Sequence, residues 1–354
     1  MKKIRKIVFL AGIMLLCGGC GRKTTVAANP GDGFVAADDK IRTLEDGLQV
    51  AVFEGEDGFE TFLNNGGASS DGEVVQFLSQ FLVADIPEVS LTDNAFGCST
   101  LAVKNETEEF LFGRNFDWNN CEALILLSKP DQGYASISTV NMDFITQGAG
   151  AMSVVLLSEN IRKAVALYAP LDGMNENGLC VSVNMIEDSE TIEQNTEKPD
   201  ITTTTAIRLL LNKAANVDEA LELLEAYDLH ASFGYMVHFA IADASGKHVV
   251  VEYVNNEMFV TDTAVVTNFY LAEGEKQGIG SSQSHTRYDI LQETLAEKNE
   301  MSEDDVRDAL DSVSKDNFGE FESTEWSIVF NQSQNTASYF HRENYGQCYR
   351  FQID

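Results

Sequence analysis

Residues 97–118 read GCSTLAVKNETEEFLFGRNFDW, and this stretch decides the fold of the 354-residue chain. Two runs rich in β-forming residues, 99–103 and 110–113, flank a polar segment, which predicts a strand–turn–strand unit. Cys98 stands at the start of this unit, and Arg114 and Asp117 stand at its end. A thiol, a guanidinium and a carboxylate in this order make the unit the first place to look for chemistry.

The chain on either side of this unit alternates between short β-rich runs and amphipathic helical segments. Predicted strands cover 99–103, 110–113, 124–128, 135–139, 153–157, 179–184, 235–242, 248–253, 258–261, 326–331, 337–341 and 348–353. Predicted helices cover 204–215, 217–227, 288–298 and 303–313, and Ser302 and Asp305 have capping-box spacing at the start of the last one. Strands followed by helices and then by strands favour an α+β fold in which two sheets carry helices on their outer faces.

The N-terminal residues resemble an export signal. Four basic residues precede an apolar run at 7–16, which is too short to span a bilayer and indicates a signal peptide over 1–19. The sequence at 17–20, CGGC, resembles a bacterial lipobox with Cys20 as the lipidated residue. Plain secretion and a redox C-x-x-C pair are the alternatives. We expect an exported lipoprotein on the extracellular face of a bacterial membrane, with 20–38 as a tether.

A separate block extends from residue 39 to residue 97. Ser70 and Glu73 have the spacing of a capping box. Behind them, apolar residues recur at helical intervals from Val74 to Leu82, which predicts an amphipathic helix with one apolar face. Such a face must dock on another part of the protein.

The composition excludes several classes of function. The chain is 44% hydrophobic and carries a net charge of −32, so it has the make-up of a globular protein that repels nucleic acid. No H-E-x-x-H, P-loop, G-x-G-x-x-G or G-x-S-x-G motif is present, and we therefore expect neither a metal nor another cofactor. Besides Cys98, three cysteines beyond the signal region are scattered and do not indicate a disulfide scaffold: Cys121, Cys180 and Cys348.

Further motifs follow Cys98 in a recognisable order. They are DGMNENGL at 172–179, VTN at 266–268 and SHTRY at 284–288. With the 97–118 stretch, this set resembles the choloylglycine hydrolase family of N-terminal-nucleophile amidases, which includes conjugated bile salt hydrolases and penicillin V acylases. The family has an arginine 16 and an aspartate 19 residues after its nucleophilic cysteine, and Arg114 and Asp117 stand at these distances from Cys98.

The resemblance implies a four-layer αββα sandwich and a role for each motif residue. It implies that Cys98 is the nucleophile and that Asp117 holds the α-amine of that cysteine in position. It also implies that Asn268 and, less closely matched in spacing, Asn184 donate to the oxyanion. Arg287 resembles a late arginine that braces the site.

The proposed chemistry is also sound on physical grounds. A thiolate that forms an acyl-enzyme splits the difficult hydrolysis of an amide into two easier steps. If Cys98 becomes the first residue of a chain, its own α-amine, with a pKa near 8, can act as the base. The positive charge of Arg114 would favour the thiolate.

One departure from the bile-salt enzymes has a structural consequence, because 97 residues precede Cys98. Removal of a signal peptide cannot expose this cysteine, so a second cleavage between Gly97 and Cys98 is required. The related acyltransferase and acid-amidase branch also matures by cutting before a cysteine. We therefore expect 39–97 to form a propeptide or α-chain that stays docked on a catalytic β-chain, 98–354, as an α/β heterodimer; a higher homo-oligomer remains open.

The sequence thus predicts a hydrolase of a linear, non-peptide C–N bond in a small N-acyl amide, with no cofactor. One alternative is a papain-like cysteine peptidase that uses Cys98 and His238, although the sequence context of that class is missing. Another alternative is a surface lipoprotein that binds a ligand without catalysis. The substrate cannot be read from the sequence, because pocket shape decides it.

Overall fold

The computed structural model describes residues 33–83, 86, 97–146, 158–318 and 323–353. The predicted signal peptide, Cys20 and most of the tether therefore lie outside the described residues. The described strands are β1 (Arg42–Glu45), β2 (Leu48–Gly55), β3 (Gly97–Lys104), β4 (Phe110–Trp118), β5 (Ala123–Pro130), β6 (Ser136–Asn141), β7 (Asp172–Asn175), β8 (Cys180–Met185), β9 (Asp200–Thr202), β10 (Asp228–His230), β11 (Val237–Ala242), β12 (His248–Val254), β13 (Glu257–Asp262), β14 (Val265–Val266), β15 (Ser323–Asn331), β16 (Thr336–His341) and β17 (Tyr349–Gln352). The described α-helices are α1 (Phe59–Asn64), α2 (Asp71–Phe81), α3 (Met142–Thr146), α4 (Glu159–Leu167), α5 (Thr203–Lys213), α6 (Val217–Glu225), α7 (Ser282–Glu297) and α8 (Glu303–Ser312).

Two large sheets form the centre of the protein. One has nine strands in the order β1-β2-β5-β6-β7-β8-β11-β12-β13, and the other has six in the order β14-β3-β4-β15-β16-β17. Helices α4 and α5 pack on the first sheet, helices α7 and α8 pack on the second, and β3 contacts β8 where the sheets face each other. This arrangement confirms the predicted α+β fold, a four-layer αββα sandwich.

Helix starts are set by local capping, as the sequence predicted. The Ser302 side chain accepts from the Asp305 N–H, and the Asp305 side chain accepts from the Ser302 N–H, so α8 begins at a complete capping box. The Ser70 side chain accepts from the N–H of Glu73 at the start of α2. Val74 and Leu78 of α2 are buried in the main core, so this helix docks as expected.

The block before Cys98 contains two strands that the sequence analysis did not predict. Strand β2 pairs in parallel with β5 over its whole length, from Leu48 opposite Ala123 to Gly55 opposite Pro130. The block is therefore a structural part of the nine-stranded sheet. The apolar–polar alternation in β2 is short and gives a weak strand signal. The sequence analysis therefore predicted only the helix that begins after Ser70, where the periodicity is stronger.

Other differences lie at element boundaries. The helix expected to begin at Tyr288 begins at Ser282, because Ser281 caps it by accepting from the N–H of Ser284. Helix α4 was not predicted, and the strand expected at 153–157 lies outside the described residues. None of the helices in the described ranges is long and apolar enough to cross a membrane.

Candidate active site

The register between β3 and β4 places the motif residues. Cys98 lies opposite Phe116, Thr100 lies opposite Arg114, and Gly97 lies opposite Asp117. Because side chains alternate along a strand, Cys98 and Arg114 face the interior between the sheets, whereas Asp117 faces the helices. The site therefore uses both faces of the β3–β4 hairpin, at the end where Gly97 begins β3.

The backbone of Cys98 is held at both of its polar atoms. Its N–H donates to Oδ1 of Asn268 over 2.6 Å, and its carbonyl accepts from Nη1 of Arg287 over 2.7 Å. Burial raises the pKa of the Cys98 thiol, and the nearby Arg114 guanidinium opposes this rise without cancelling it. The expectation that Arg114 would favour the thiolate has the right sign, but burial dominates, so the thiol needs a base.

Arg114 is fully buried among polar groups of the opposite sheet. Its Nε lies 3.4 Å from Oδ2 of Asp172, and its Nη1 donates to Oδ1 of Asn184 over 3.1 Å. Asp172 also accepts from Nε1 of Trp326 over 2.9 Å. Burial raises the pKa of Asp172, while Arg114 acts against this rise. The guanidinium is thus oriented by groups from β7, β8 and β15, and the sequence analysis assigned no role to Asp172 or Trp326.

Arg287 joins three parts of the site. Besides the Cys98 carbonyl, it donates to Oδ1 of Asn268 over 2.8 Å and lies 3.3 Å from Oδ2 of Asp117. Its position follows from the start of α7, where Oγ of Ser284 accepts from the N–H of Asn268 over 2.6 Å. Since an arginine only donates, the Arg287 contact fixes Oδ1 of Asn268 towards the Cys98 nitrogen.

The side-chain amides of Asn268 and Asn184 contact different backbone carbonyls. Nδ2 of Asn268 donates to the carbonyl of Met185 over 2.7 Å. Nδ2 of Asn184 lies 3.3 Å from the Val266 carbonyl and 3.4 Å from that of Thr267, so its amide ties β8 to the chain before Asn268. With the chain uncut at Gly97–Cys98, both amides are engaged with backbone carbonyls, and the oxyanion role of each stays a prediction.

Thr324 and Lys315 lie near Gly97, and no sequence pattern predicted that they belong to the site. Oγ1 of Thr324 donates to Oδ1 of Asp117 over 2.7 Å and accepts from the N–H of Lys315. A Cβ atom on Gly97 would lie 2.7 Å from Oδ2 of Asp117, 2.8 Å from Cε of Lys315 and 3.0 Å from Nη2 of Arg287. Only glycine therefore fits before Cys98 without a shift of its neighbours.

Residues 98–270 match the family model described as linear amide C–N hydrolases, choloylglycine hydrolase family. Over these residues the chain is similar to the choloylglycine hydrolase family. The match covers the hairpin, the 172–179 turn and Asn268, and it confirms the resemblance stated from the motifs. The chain is accordingly a hydrolase that acts on linear amides.

Solved structures of a conjugated bile acid hydrolase have a similar fold. Two variants of conjugated bile acid hydrolase from Clostridium perfringens each superpose with a TM-score of 0.53, at 17% and 16% identity, covering 72% of this chain and 92% of theirs. Penicillin V acylase from Agrobacterium tumefaciens matches with a TM-score of 0.43 at 13% identity, covering 69% of this chain and 83% of its own. No curated protein sequence matches the chain significantly.

The site contains a narrow apolar cavity of about 40 Å³ beside Cys98. Phe116, Phe144 and Phe233 contribute to its wall, and Thr204 and Ser232 add hydroxyl groups. Among the described residues, no charged side chain lines it. The cavity would therefore accommodate an uncharged, mostly apolar group next to the thiol.

The papain-like alternative required His238 to act as a base. Its Nε2 contacts the Thr267 carbonyl over 2.7 Å, and its Nδ1 contacts Oε1 of Glu252 over 2.9 Å. Burial would raise the pKa of Glu252, but hydrogen bonds, first of all from His238, hold it below its ordinary value. Both ring nitrogens are thus engaged by Glu252 and the Thr267 carbonyl, and neither is hydrogen-bonded to Cys98.

The remaining polar groups do not form a second centre in the part of the chain that the structure describes. Its four cysteines, Cys98, Cys121, Cys180 and Cys348, are all unpaired thiols. Burial raises the pKa values of Cys121 and Cys180, which makes them poor nucleophiles. Within the same ranges, no cluster of three or more histidine, cysteine or carboxylate side chains could hold a metal ion.

Proposed function

We propose that this protein cleaves the linear, non-peptide C–N bond of a small N-acyl amide through a thioester at Cys98, after its own chain is cut between Gly97 and Cys98. One observation carries the proposal: the thiol of Cys98 faces the apolar cavity while its nitrogen is held by Asn268 over 2.6 Å. A nucleophile and its future base thus occupy adjoining positions on one residue.

The cut can proceed as an acyl shift within the chain. The Cys98 thiol adds to the Gly97 carbonyl, the C–N bond breaks, and the nitrogen of Cys98 takes up a proton and becomes the α-amine. Water then hydrolyses the Gly97 thioester, which leaves a carboxylate on Gly97 and a thiol on Cys98. Before the cut that nitrogen is an amide without basic character, so turnover depends on maturation.

The same groups then serve turnover. The α-amine of Cys98 takes the thiol proton, and the thiolate attacks the substrate carbonyl. The proton passes to the leaving amine as the C–N bond breaks, and water, activated by the α-amine, hydrolyses the resulting thioester. Asn268 and Arg287 already border the Cys98 nitrogen, and Arg114 supplies positive charge beside the thiol.

The cavity indicates the class of substrate. Its apolar wall favours an uncharged acyl group, and its volume of about 40 Å³ in the uncut chain favours a short or narrow one. We therefore place amides with a short, narrow acyl group ahead of bulky ring systems as substrates.

Intact-mass spectrometry of the wild type beside Cys98→Ala tests the proposal. We expect a wild-type fragment that begins at Cys98 and is absent from the variant. The wild type, but not the variant, should release p-nitroaniline from acyl p-nitroanilides. An uncut wild-type chain, or a cut chain without turnover of any acyl amide, would favour the ligand-binding alternative.

We also propose that the protein is exported and anchored through a lipid on Cys20. The basic and apolar run at 1–19 and the CGGC sequence support this proposal. Labelled fatty acid should be incorporated by the wild type and not by Cys20→Ala when each is expressed in a bacterial host. Equal labelling of both proteins would refute the anchor.

A further inference from the structure

One residue of the acyl cavity is held in an unfavourable backbone conformation. Phe233 has φ 57° and ψ 11°, in the left-handed region that a bulky residue rarely adopts. It lies in the turn Ser232–Gly234, and its ring packs against that of Phe144, which also lines the cavity, with centroids 5.3 Å apart. Such a conformation persists only where the surroundings impose it.

The group that holds Phe233 comes from the block before Cys98. Oδ2 of Asp71, the first residue of α2, accepts from the N–H of Phe233 over 2.7 Å. A carboxylate is a strong acceptor, so it can stabilise a turn that the chain would otherwise leave. The position of one cavity wall therefore depends on a side chain 162 residues earlier in the chain.

The same short segment also contacts the chain that leads to a second part of the cavity wall. The Gly66 carbonyl accepts from the N–H of Asp200 over 2.9 Å, and the Ala68 N–H donates to the Asp200 carbonyl over 3.1 Å. Gly67 between them has φ 73°, and a Cβ there would lie 1.8 Å from the Asp200 carbonyl oxygen. Asp200 begins β9, which leads directly into the cavity residue Thr204.

The two walls are also joined to each other. The N–H of Thr204 donates to Oγ of Ser232 over 3.3 Å, and the two hydroxyl groups lie 3.4 Å apart. A displacement of either wall would thus be transmitted to the other. A single segment, 66–71, touches both walls from outside without lining the cavity itself.

We propose that residues 66–71 form a brace that sets the width of the acyl cavity, with Asp71 as the residue that determines acyl-chain selectivity by positioning Phe233. The inference rests on the proposed amidase function for its kinetic readout. If the chain is cut at Gly97, the α-chain supplies this brace to the β-chain. Selectivity would then reside partly in a chain that carries none of the reacting groups.

Kinetics on acyl p-nitroanilides from acetyl to octanoyl test the brace, comparing the wild type with Asp71→Ala, Asp71→Asn and Asp71→Glu. We expect Asp71→Ala to raise KM about tenfold for the preferred chain and to broaden the length preference, with kcat for the acetyl compound little changed. Asparagine still offers an oxygen acceptor, so Asp71→Asn should restore selectivity. Asp71→Glu keeps the charge at the helix start but shifts the carboxylate, so the preferred length should change.

Gln76→Ala is the matched control, because Gln76 lies on the same helix as Asp71 and its side chain is exposed to solvent. It should retain wild-type selectivity. Equal losses in Asp71→Ala and Gln76→Ala at every chain length would show a general structural effect and overturn the brace. Unchanged selectivity in both Asp71→Ala and Asp71→Glu, with an active wild type, would overturn it too.

Amide hydrogen exchange separates this inference from the proposed function, since it needs no turnover. The amides of the 232–237 segment should exchange faster in Asp71→Ala than in the wild type or Gln76→Ala. Unchanged exchange would refute the brace even if the amidase function stands. Faster exchange in a protein without turnover would support the brace and contradict the amidase function alone.

Discussion

Arg287 is the residue on which the geometry around Cys98 depends most directly. Its guanidinium joins the Cys98 carbonyl, Oδ1 of Asn268 and the Asp117 carboxylate, and it is almost completely buried. A guanidinium presents five N–H donors in a rigid plane, whereas a lysine ammonium is a compact charge with three donors on a flexible stem. The site therefore needs an arginine here, and not merely a positive charge.

We predict that Arg287→Lys slows both the cut at Gly97 and amide turnover by about 10- to 100-fold, because buried hydrogen bonds to a charged group are lost. Arg307→Lys is the control, since Arg307 pairs only with exposed carboxylates of α8. The measurements are the appearance of the Cys98 fragment by intact mass and the kcat of the cut enzyme. Wild-type rates in Arg287→Lys would contradict the bracing role.

At the scale of elements, helix α8 anchors the outer layer over the six-stranded sheet. Val306, Ala309 and Leu310 form its buried face. Gly113 of β4 meets this face so closely that a Cβ there would lie 2.7 Å from Cγ1 of Val306. Helix α8 thus packs directly on β4, the strand that carries Arg114 and Asp117. The capping box at the start of α8 therefore stabilises the packing of this helix on the six-stranded sheet.

We predict that Asp305→Ala lowers the free energy of unfolding by about 1 kcal/mol at neutral pH. Hydrogen bonds from Lys298 and Ser302 lower the pKa of Asp305 to about 2. Because the folded pKa lies below the unfolded value, this contribution is complete above pH 4 and disappears as the pH falls towards 2.

Urea unfolding of the wild type, Asp305→Ala and Asp304→Ala at several pH values measures this difference. Asp304 lies in the same turn but pairs only with Arg307 at the exposed surface, so its variant should unfold like the wild type. A gap between the wild type and Asp305→Ala that persists undiminished at pH 2 would contradict the assignment.

At the scale of the whole molecule, the block before Cys98 is part of the same core as the catalytic part. Leu48 and Val50 of β2 are fully buried in the nine-stranded sheet. Polar contacts join the two parts as well: Oδ2 of Asp57 accepts from Nδ2 of Asn212 over 3.2 Å, and Glu60 pairs with Lys213 over 2.6 Å. The block completes a sheet edge that would otherwise expose β5.

We predict that the cut α-chain stays bound to the β-chain and separates only when the protein unfolds. Burial of Leu48 and Val50 alone contributes roughly 1.5–3 kcal/mol each. Size-exclusion chromatography should give one peak containing both chains in buffer and two in urea. Val50→Ala should lower the urea concentration needed for separation, whereas Glu54→Ala, at an exposed site on the same strand, should not. Separation of the wild-type chains in buffer would refute the prediction.

Local patterns accounted for a definite part of this protein. The capping residues Ser70 and Ser302 predicted two helix starts, because a cap is made by residues three positions apart. The spacing from Cys98 to Arg114 and Asp117 predicted a hairpin with chemistry at one end, because strand pairing across a short turn is also local. The order of the motifs then pointed to the family and to the sandwich fold.

Only the tertiary structure decided which groups meet. It placed Arg114 between the sheets beside Asp172, and it placed Asp117 on the helix side near Lys315. No local sequence pattern predicts either neighbour. It also joined Asp71 to Phe233 across 162 residues. Such contacts depend on sheet register and on the packing of layers, which sum many weak interactions over the whole chain. The sequence by itself therefore determined the fold class and the nucleophile candidate, and the packing of distant elements decided the surroundings that give them a function.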